Sequence, residues 1–267
     1  MPRPDRRTAA LALVLLAAVV GAGCGKGTVQ IAFRPKDGAR YTYVVTVRAS
    51  TVTKVGDAAP ETSADKQTLH AEQAVLSVDA DGSRVQVRLT GDDGTPRQFV
   101  VRFDRAAQLA EVQRIEGLPA SVLGDLGLTE IFPAAAGAPP DRPLQPGDRW
   151  SVDEPVTLPG LSPSRLHGSG RLVALGVVKG RKVATTQTTF QLPVDRTVDA
   201  RNARILLHGT QHTTTTATRA LADGAVQEAH AVTSGTFEMT LLPPDGGEPA
   251  LHGTLELHVD STTRRVG

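Results

Sequence analysis

This chain has a single cysteine, Cys24, among its 267 residues. With no second cysteine to pair with, stability cannot come from an intrachain disulfide. Aromatic residues are scarce: six Phe, two Tyr and one Trp. Clefts that grip sugars or unstacked bases usually rely on aromatic platforms, so the composition disfavours both ligand classes. Neither sign of charge is in excess, with 29 Lys and Arg against 28 Asp and Glu. That balance leaves no basic footprint for nucleic acid. A long hydrophobic run is missing too. Ala9 to Val20 holds twelve apolar residues, short of the roughly 20 that a spanning helix needs.

The chain begins with the parts of a removable signal. Arg3, Arg6 and Arg7 precede the apolar run, and Gly21, Ala22 and Gly23 separate it from Cys24. A basic start, a short apolar stretch and small residues at its end describe an export signal. Val20-Gly21-Ala22-Gly23-Cys24 resembles the lipobox of bacterial lipoproteins, where a cysteine behind small residues is lipidated and becomes the new N-terminus. The resemblance implies that residues 1–23 are removed and that Cys24 carries a covalent diacylglyceryl lipid. It further implies a chain held on the extracytoplasmic side of a membrane in the bacterial cell envelope, because two acyl chains anchor stably. Gly25 follows the cysteine where an Asp would signal inner-membrane retention, which points to the outer membrane in a two-membrane cell. The other reading is an ordinary secretory signal with an incidental cysteine. Loss of residues 1–23 removes three Arg and one Asp, leaving 244 residues of net charge −1, long enough for a real core. Gly23-Cys24-Gly25-Lys26-Gly27-Thr28 imitates a phosphate-binding loop. The P-loop needs Gly, four residues, then Gly-Lys-Ser/Thr, and here Val20 and Gly27 fill the first and hydroxyl positions.

Residues 24–36 read as a polar tether, after which alternation with a period of two begins. Tyr41, Tyr43, Val45, Val47 and Ala49 share one side of a strand with a buried face. Residues 57–65 read as a polar loop. Further strands are expected over Leu69 to Val78, Val85 to Leu89, Phe99 to Phe103, and a weaker one ending near Arg114. Beyond the centre they are expected over Trp150 to Val156, Leu166 to Val177, Val183 to Phe190, Ile205 to Arg219, Ala225 to Leu242 and around Leu255 to Val259. Turn signals separate them at Asp79-Ala80-Asp81-Gly82, Asp92-Asp93-Gly94, Lys179-Gly180 and Asp223-Gly224. The Thr run from Thr213 to Thr216 falls inside one expected strand, where Thr is at home. Residues 117–132 break the pattern, with Pro119 opening a short helix through Val122, Leu123 and Leu126. Prolines crowd residues 133–146, which read as a semi-rigid connector.

The expected fold is mainly β: a large curved antiparallel sheet or half-open β-barrel with one short central helix. The expected organisation is a signal over 1–23, a tether over 24–36 and a first β unit with the helix over 37–132. The connector over 133–146 and a second β unit over 147–267 complete it, with one continuous sheet also open. The two units echo one another. Gly38-Ala39-Arg40-Tyr41 opens one and Gly147-Asp148-Arg149-Trp150 the other, and Leu69-His70-Ala71 corresponds to Leu166-His167-Gly168. Two readings stand: a duplicated unit, or two meanders sharing turn chemistry.

Chemistry-bearing constellations are thin. His208 and His212 share a strand face, as do His252 and His258. Four residues along a strand span about 13 Å, too far for one ion. Leu-His-Gly triplets start at Leu166, Leu207 and Leu251 without an evident role. Neither Gly-x-Ser-x-Gly nor His-Glu-x-x-His occurs. Asp92 with Asp93 and Asp153 with Glu154 are adjacent in sequence, and adjacent strand residues point to opposite faces, so neither makes the facing carboxylate pair of a glycosidase. The expectation is therefore no catalytic residue, no metal site, no cofactor besides the lipid on Cys24, and no enzyme activity.

The central Pro146-Gly147-Asp148-Arg149-Trp150, the early Gly-x-x-Tyr strand entry and the lipobox together resemble a group of uncharacterised bacterial lipoproteins. More distantly, the pattern is similar to the half-open barrels of the LolA, LolB and LppX type, which carry lipids or lipoproteins across the envelope. Two roles follow as expectations. One is a non-enzymatic structural or interaction domain, with the membrane and an envelope protein as partners. The other is a carrier of a hydrophobic ligand such as lipid. Nucleic acid is not an expected partner.

Overall fold

The computed structural model describes residues 27–92, 94–105, 109–116, 139–156, 164–200, 203–243 and 251–266. In chain order the strands are β1 (Val29–Gln30), β2 (Arg40–Val55), β3 (Glu61–Val78), β4 (Gly82–Thr90), β5 (Pro96–Asp104) and β6 (Leu109–Glu116). They continue with β7 (Pro143–Leu144), β8 (Arg149–Val156), β9 (Ser164–Val178), β10 (Arg181–Ala200), β11 (Ala203–Ala220), β12 (Val226–Leu242) and β13 (Leu251–Val266). Among the described residues, β1 pairs only with β7. The other eleven make one antiparallel sheet in the order β6-β5-β4-β3-β2-β13-β12-β11-β10-β9-β8. Among the described residues there is no helix, and no ladder joins the edge strands β6 and β8, so the sheet is not closed into a barrel. The helix expected over 117–132 lies outside the described residues.

Local chemistry explains the hairpins. Lys179 and Gly180 both have positive φ, 49° and 76°, as a two-residue turn matched to strand twist requires. At the β3–β4 turn, Asp79 Oδ1 accepts from the backbone N–H of Asp81 and Gly82 at 2.9 and 3.0 Å. Two strand limits depart from expectation. Residues 61–65, read as loop, belong to β3 and pair with β2 through Thr53↔Glu61. Glu61 to Lys66 are exposed on both faces, so no alternation marks them as strand. β10 runs beyond Phe190 to Ala200 and passes through Pro193. Its ladder with β9 has ended by then at Gln191↔His167, so a missing N–H is tolerated there.

One face of the sheet, here called inner, carries the core. Tyr43, Val45, Leu69, Val85, Val87, Phe99, Val101 and Phe103 are each fully buried at 0% exposure. Across β13, β12, β11 and β10 the same face is lined by small residues. One row runs Thr263-Ala229-Ala217-Thr186 and the next Ser261-Ala231-Thr215-Thr188. A single cluster joins Ala217, Ala229 and Val259 to the large side chains of β2 to β5. Arg219 is also buried, donating from Nη1 to the Gly224 carbonyl at 3.0 Å. Burial pulls its pKa down to about 10. Tyr41 is pushed up to about 12, chiefly by burial and then by the Asp223 charge. The Arg265 guanidinium stacks 4.8 Å above the Tyr41 ring.

Residues 31–34 hold this sheet in a curl. The Phe33 N–H donates to the Arg105 carbonyl at 2.6 Å, and the next N–H, of Arg34, donates to the Asp223 carbonyl at 2.9 Å. Those carbonyls are therefore within about 9 Å, two hydrogen bonds and one residue step of about 3.8 Å apart. Arg105 follows β5 and Asp223 precedes β12, five strand spacings away in the sheet order. A flat sheet would separate them by about 24 Å. Rolling the sheet brings the two turns together, and residues 31–34 staple them. Ile31, Ala32 and Phe33 are 2%, 6% and 3% exposed. The expected polar tether thus ends in a packed segment. At Gly224, with φ +71°, any side chain would overlap the Ala32 carbonyl.

Candidate functional site: an open groove on the outer sheet face

The outer face alternates with the core and is polar. Three cross-strand rows on it, from β11 to β2, read His212-Ser234-His258-Ser50, Thr210-Thr236-Glu256-Val52 and His208-Glu238-Thr254-Lys54. Residues of these rows line a groove of about 800 Å³. Strands of this length twist, and a twisted sheet that is concave along one diagonal of one face is concave along the other diagonal of the opposite face. A second outer groove, of about 590 Å³, lies over Arg40, Thr42, Glu72, Gln86, Arg88 and Gln98 on β2 to β5.

The histidines are spread over this face. His208 stands opposite Glu238 in the ladder. His212 and His258 flank Ser234, two strand spacings or about 10 Å apart. Elsewhere, His230 Nε2 and Asp260 Oδ2 are 2.9 Å apart, and His252 Nδ1 lies 3.3 Å from Thr240 Oγ1. Asp153 binds Arg165 through two oxygens at 3.0 Å and lies 3.0 Å from His167 Nδ1. The Arg165 guanidinium holds the Asp153 carboxyl below its ordinary pKa. Asp92 Oδ2 accepts the Thr68 N–H at 3.3 Å. Among the described residues no three His, Cys, Asp or Glu converge to hold a metal ion. The groove offers hydroxyls, imidazoles and carboxylates across an open surface.

The Leu-His-Gly triplets acquire a structural account. In each, leucine and glycine face inward and histidine outward. Each glycine stands directly opposite a large side chain: Gly168 opposite Phe190, Gly209 opposite Phe237, and Gly253 opposite Met239. Gly170 likewise faces Trp150, and a Cβ there would overlap the indole. Large residues lie over glycines that leave them room. The signal was present as spacing, yet it depends on strand register. Cys24, the one expected modification site, lies outside the described residues.

No protein-family model matches the chain, and no curated protein matches it.

Proposed function

We propose that the chain is a bacterial envelope lipoprotein, anchored through a diacylglyceryl group on Cys24, whose sheet serves as a non-enzymatic interaction domain. The observation carrying this reading is the division of faces. The inner face is filled by the chain's own side chains, from Phe33 to the buried threonine rows, while two grooves open on the polar outer face. A half-open barrel describes the rolled sheet best. A duplicated unit fits the order of strands, since β2 to β6 and β8 to β12 are meanders advancing in the same direction across it. Only five residue steps separate Cys24 from Val29, a reach of at most about 18 Å. The stapled end would then sit against the membrane, on the extracytoplasmic side, and the larger groove toward the opposite strand ends. In a two-membrane cell this is the outer membrane.

A carrier of a hydrophobic ligand is the second reading. It is favoured by the apolar cluster of Leu207, Phe237 and Met239 at the other end of the inner face, where Leu251 is 54% exposed. One variant tests both points. Cys24→Ser is expected to leave the membrane fraction for the soluble fraction while the wild type stays bound. Retention of the variant would count against the anchor. Native mass spectrometry of the released variant is expected to show the bare protein mass. Acyl lipid at fixed stoichiometry would favour the carrier.

A further inference from the structure

Among the described residues, the edge of the sheet at β9 is unpaired over six residues. β8 pairs with β9 only from Arg149↔Arg171 to Val156↔Ser164. The Leu172 N–H and carbonyl are still engaged, by the Asp148 carbonyl at 2.9 Å and the Gly147 N–H at 2.8 Å. From Val173 to Val178, β9 has β10 on one side and, among the described residues, no strand on the other. Val173, Val177 and Val178 are 42%, 67% and 48% exposed. From Leu172 to Val178 there is no charge and no proline.

A lone strand edge presents alternate N–H and C=O groups to any chain that can pair with them, and charges or prolines normally blunt it. β8 is blunted in this way, with Asp153, Glu154 and Pro155 in its eight residues. The Val173–Val178 edge carries none of these, and its β-prone, uncharged sequence favours strand pairing. Its flanks are basic: Arg171 before it, and Lys179, Arg181 and Lys182 after it, all exposed. Antiparallel pairing with a second copy about Leu175 would set Arg171 opposite Lys179, and directly opposed like charges are destabilising. An incoming strand with acidic ends meets attraction at both flanks.

We propose that Val173–Val178 is a strand-addition site for an extended apolar segment of another protein, about six residues long and flanked by Asp or Glu. Main-chain hydrogen bonds would supply the pairing and the basic flanks the choice of partner. This inference stands on the sheet edge alone and does not depend on the anchor or the outer groove.

The probe is a synthetic peptide of alternating threonine and valine with two glutamates at each end, added to the full chain in detergent. Amide hydrogen exchange across Val173–Val178 is expected to slow roughly ten-fold at about 1 mM peptide. A lysine-ended version is expected to bind roughly ten-fold more weakly. Val177→Glu, at a position already solvent-exposed, should keep the wild-type melting temperature and lose the protection. Unchanged exchange with the acidic peptide would overturn the proposal, as would equal protection by both peptides. Protection that rises with protein concentration in the absence of peptide would assign the edge to a second copy instead.

Discussion

At the scale of single residues, the inner face inverts a familiar rule. Glycine usually weakens a strand by about 0.5–1 kcal/mol relative to alanine. At Gly209, however, an added Cβ would lie 2.8 Å from Phe237 Cδ1 and closer still to the Thr236 carbonyl. Backbone cannot retreat as a flexible side chain can, so Gly209→Ala should destabilise the protein by about 1–3 kcal/mol. Gly176 is the contrasting case: a Cβ added there would meet Val183 Cγ2 at 3.9 Å and nothing nearer. Gly176→Ala should stabilise by about 0.5 kcal/mol. Urea unfolding of the two variants would show opposite signs, and like signs would refute the packing account. The recurrence of Leu-His-Gly was visible in the sequence. Its meaning was not, because the residue each glycine accommodates lies 14 positions away for Met239, 22 for Phe190 and 28 for Phe237.

At the scale of elements, the strands were legible where one face is buried and obscure where neither is. Tyr41 to Val47 announce themselves by alternation, whereas the exposed start of β3 does not. The turns were legible from short-range chemistry, and one of them yields a pH dependence. Asp79 is bound by Arg102 through both oxygens at 2.8 and 2.9 Å and by two backbone N–H groups. The Arg102 hydrogen bonds, followed by that from Asp81, hold its pKa down at about 2 against an ordinary 3.8. A carboxyl that is more acidic in the fold favours the fold when ionised. Its contribution is therefore whole above pH 3.8 and disappears as the pH falls to about 2. Asp79→Asn should lose less stability than the wild type across that window. Unfolding midpoints at several acidic pH values would reveal parallel curves if the turn carboxylate were irrelevant.

At the scale of the whole molecule, Phe33 holds the rolled sheet together. Its ring packs edge-on against Phe103 at 5.9 Å and tilted against Tyr41 at 6.1 Å. Phe33→Ala should cost about 3–5 kcal/mol. The loss should register equally in Trp150 fluorescence and in backbone circular dichroism, since the staple serves both halves, and two separated transitions would contradict that. None of this was legible locally. Val29 to Phe33 is too short for a period to show, and its partners lie near residues 105, 144 and 223. The central ladder is equally long-range, joining Thr42 to Val266. A chain synthesised from its N-terminus delivers β2 before any other strand of the large sheet, and the strand that must lie on its other side last. Residues 33 and 34 likewise wait for Asp223 to arrive. Such a molecule stays incomplete until β13 has been made. Loss of β13 would leave it as two meanders with raw edges where one sheet should be.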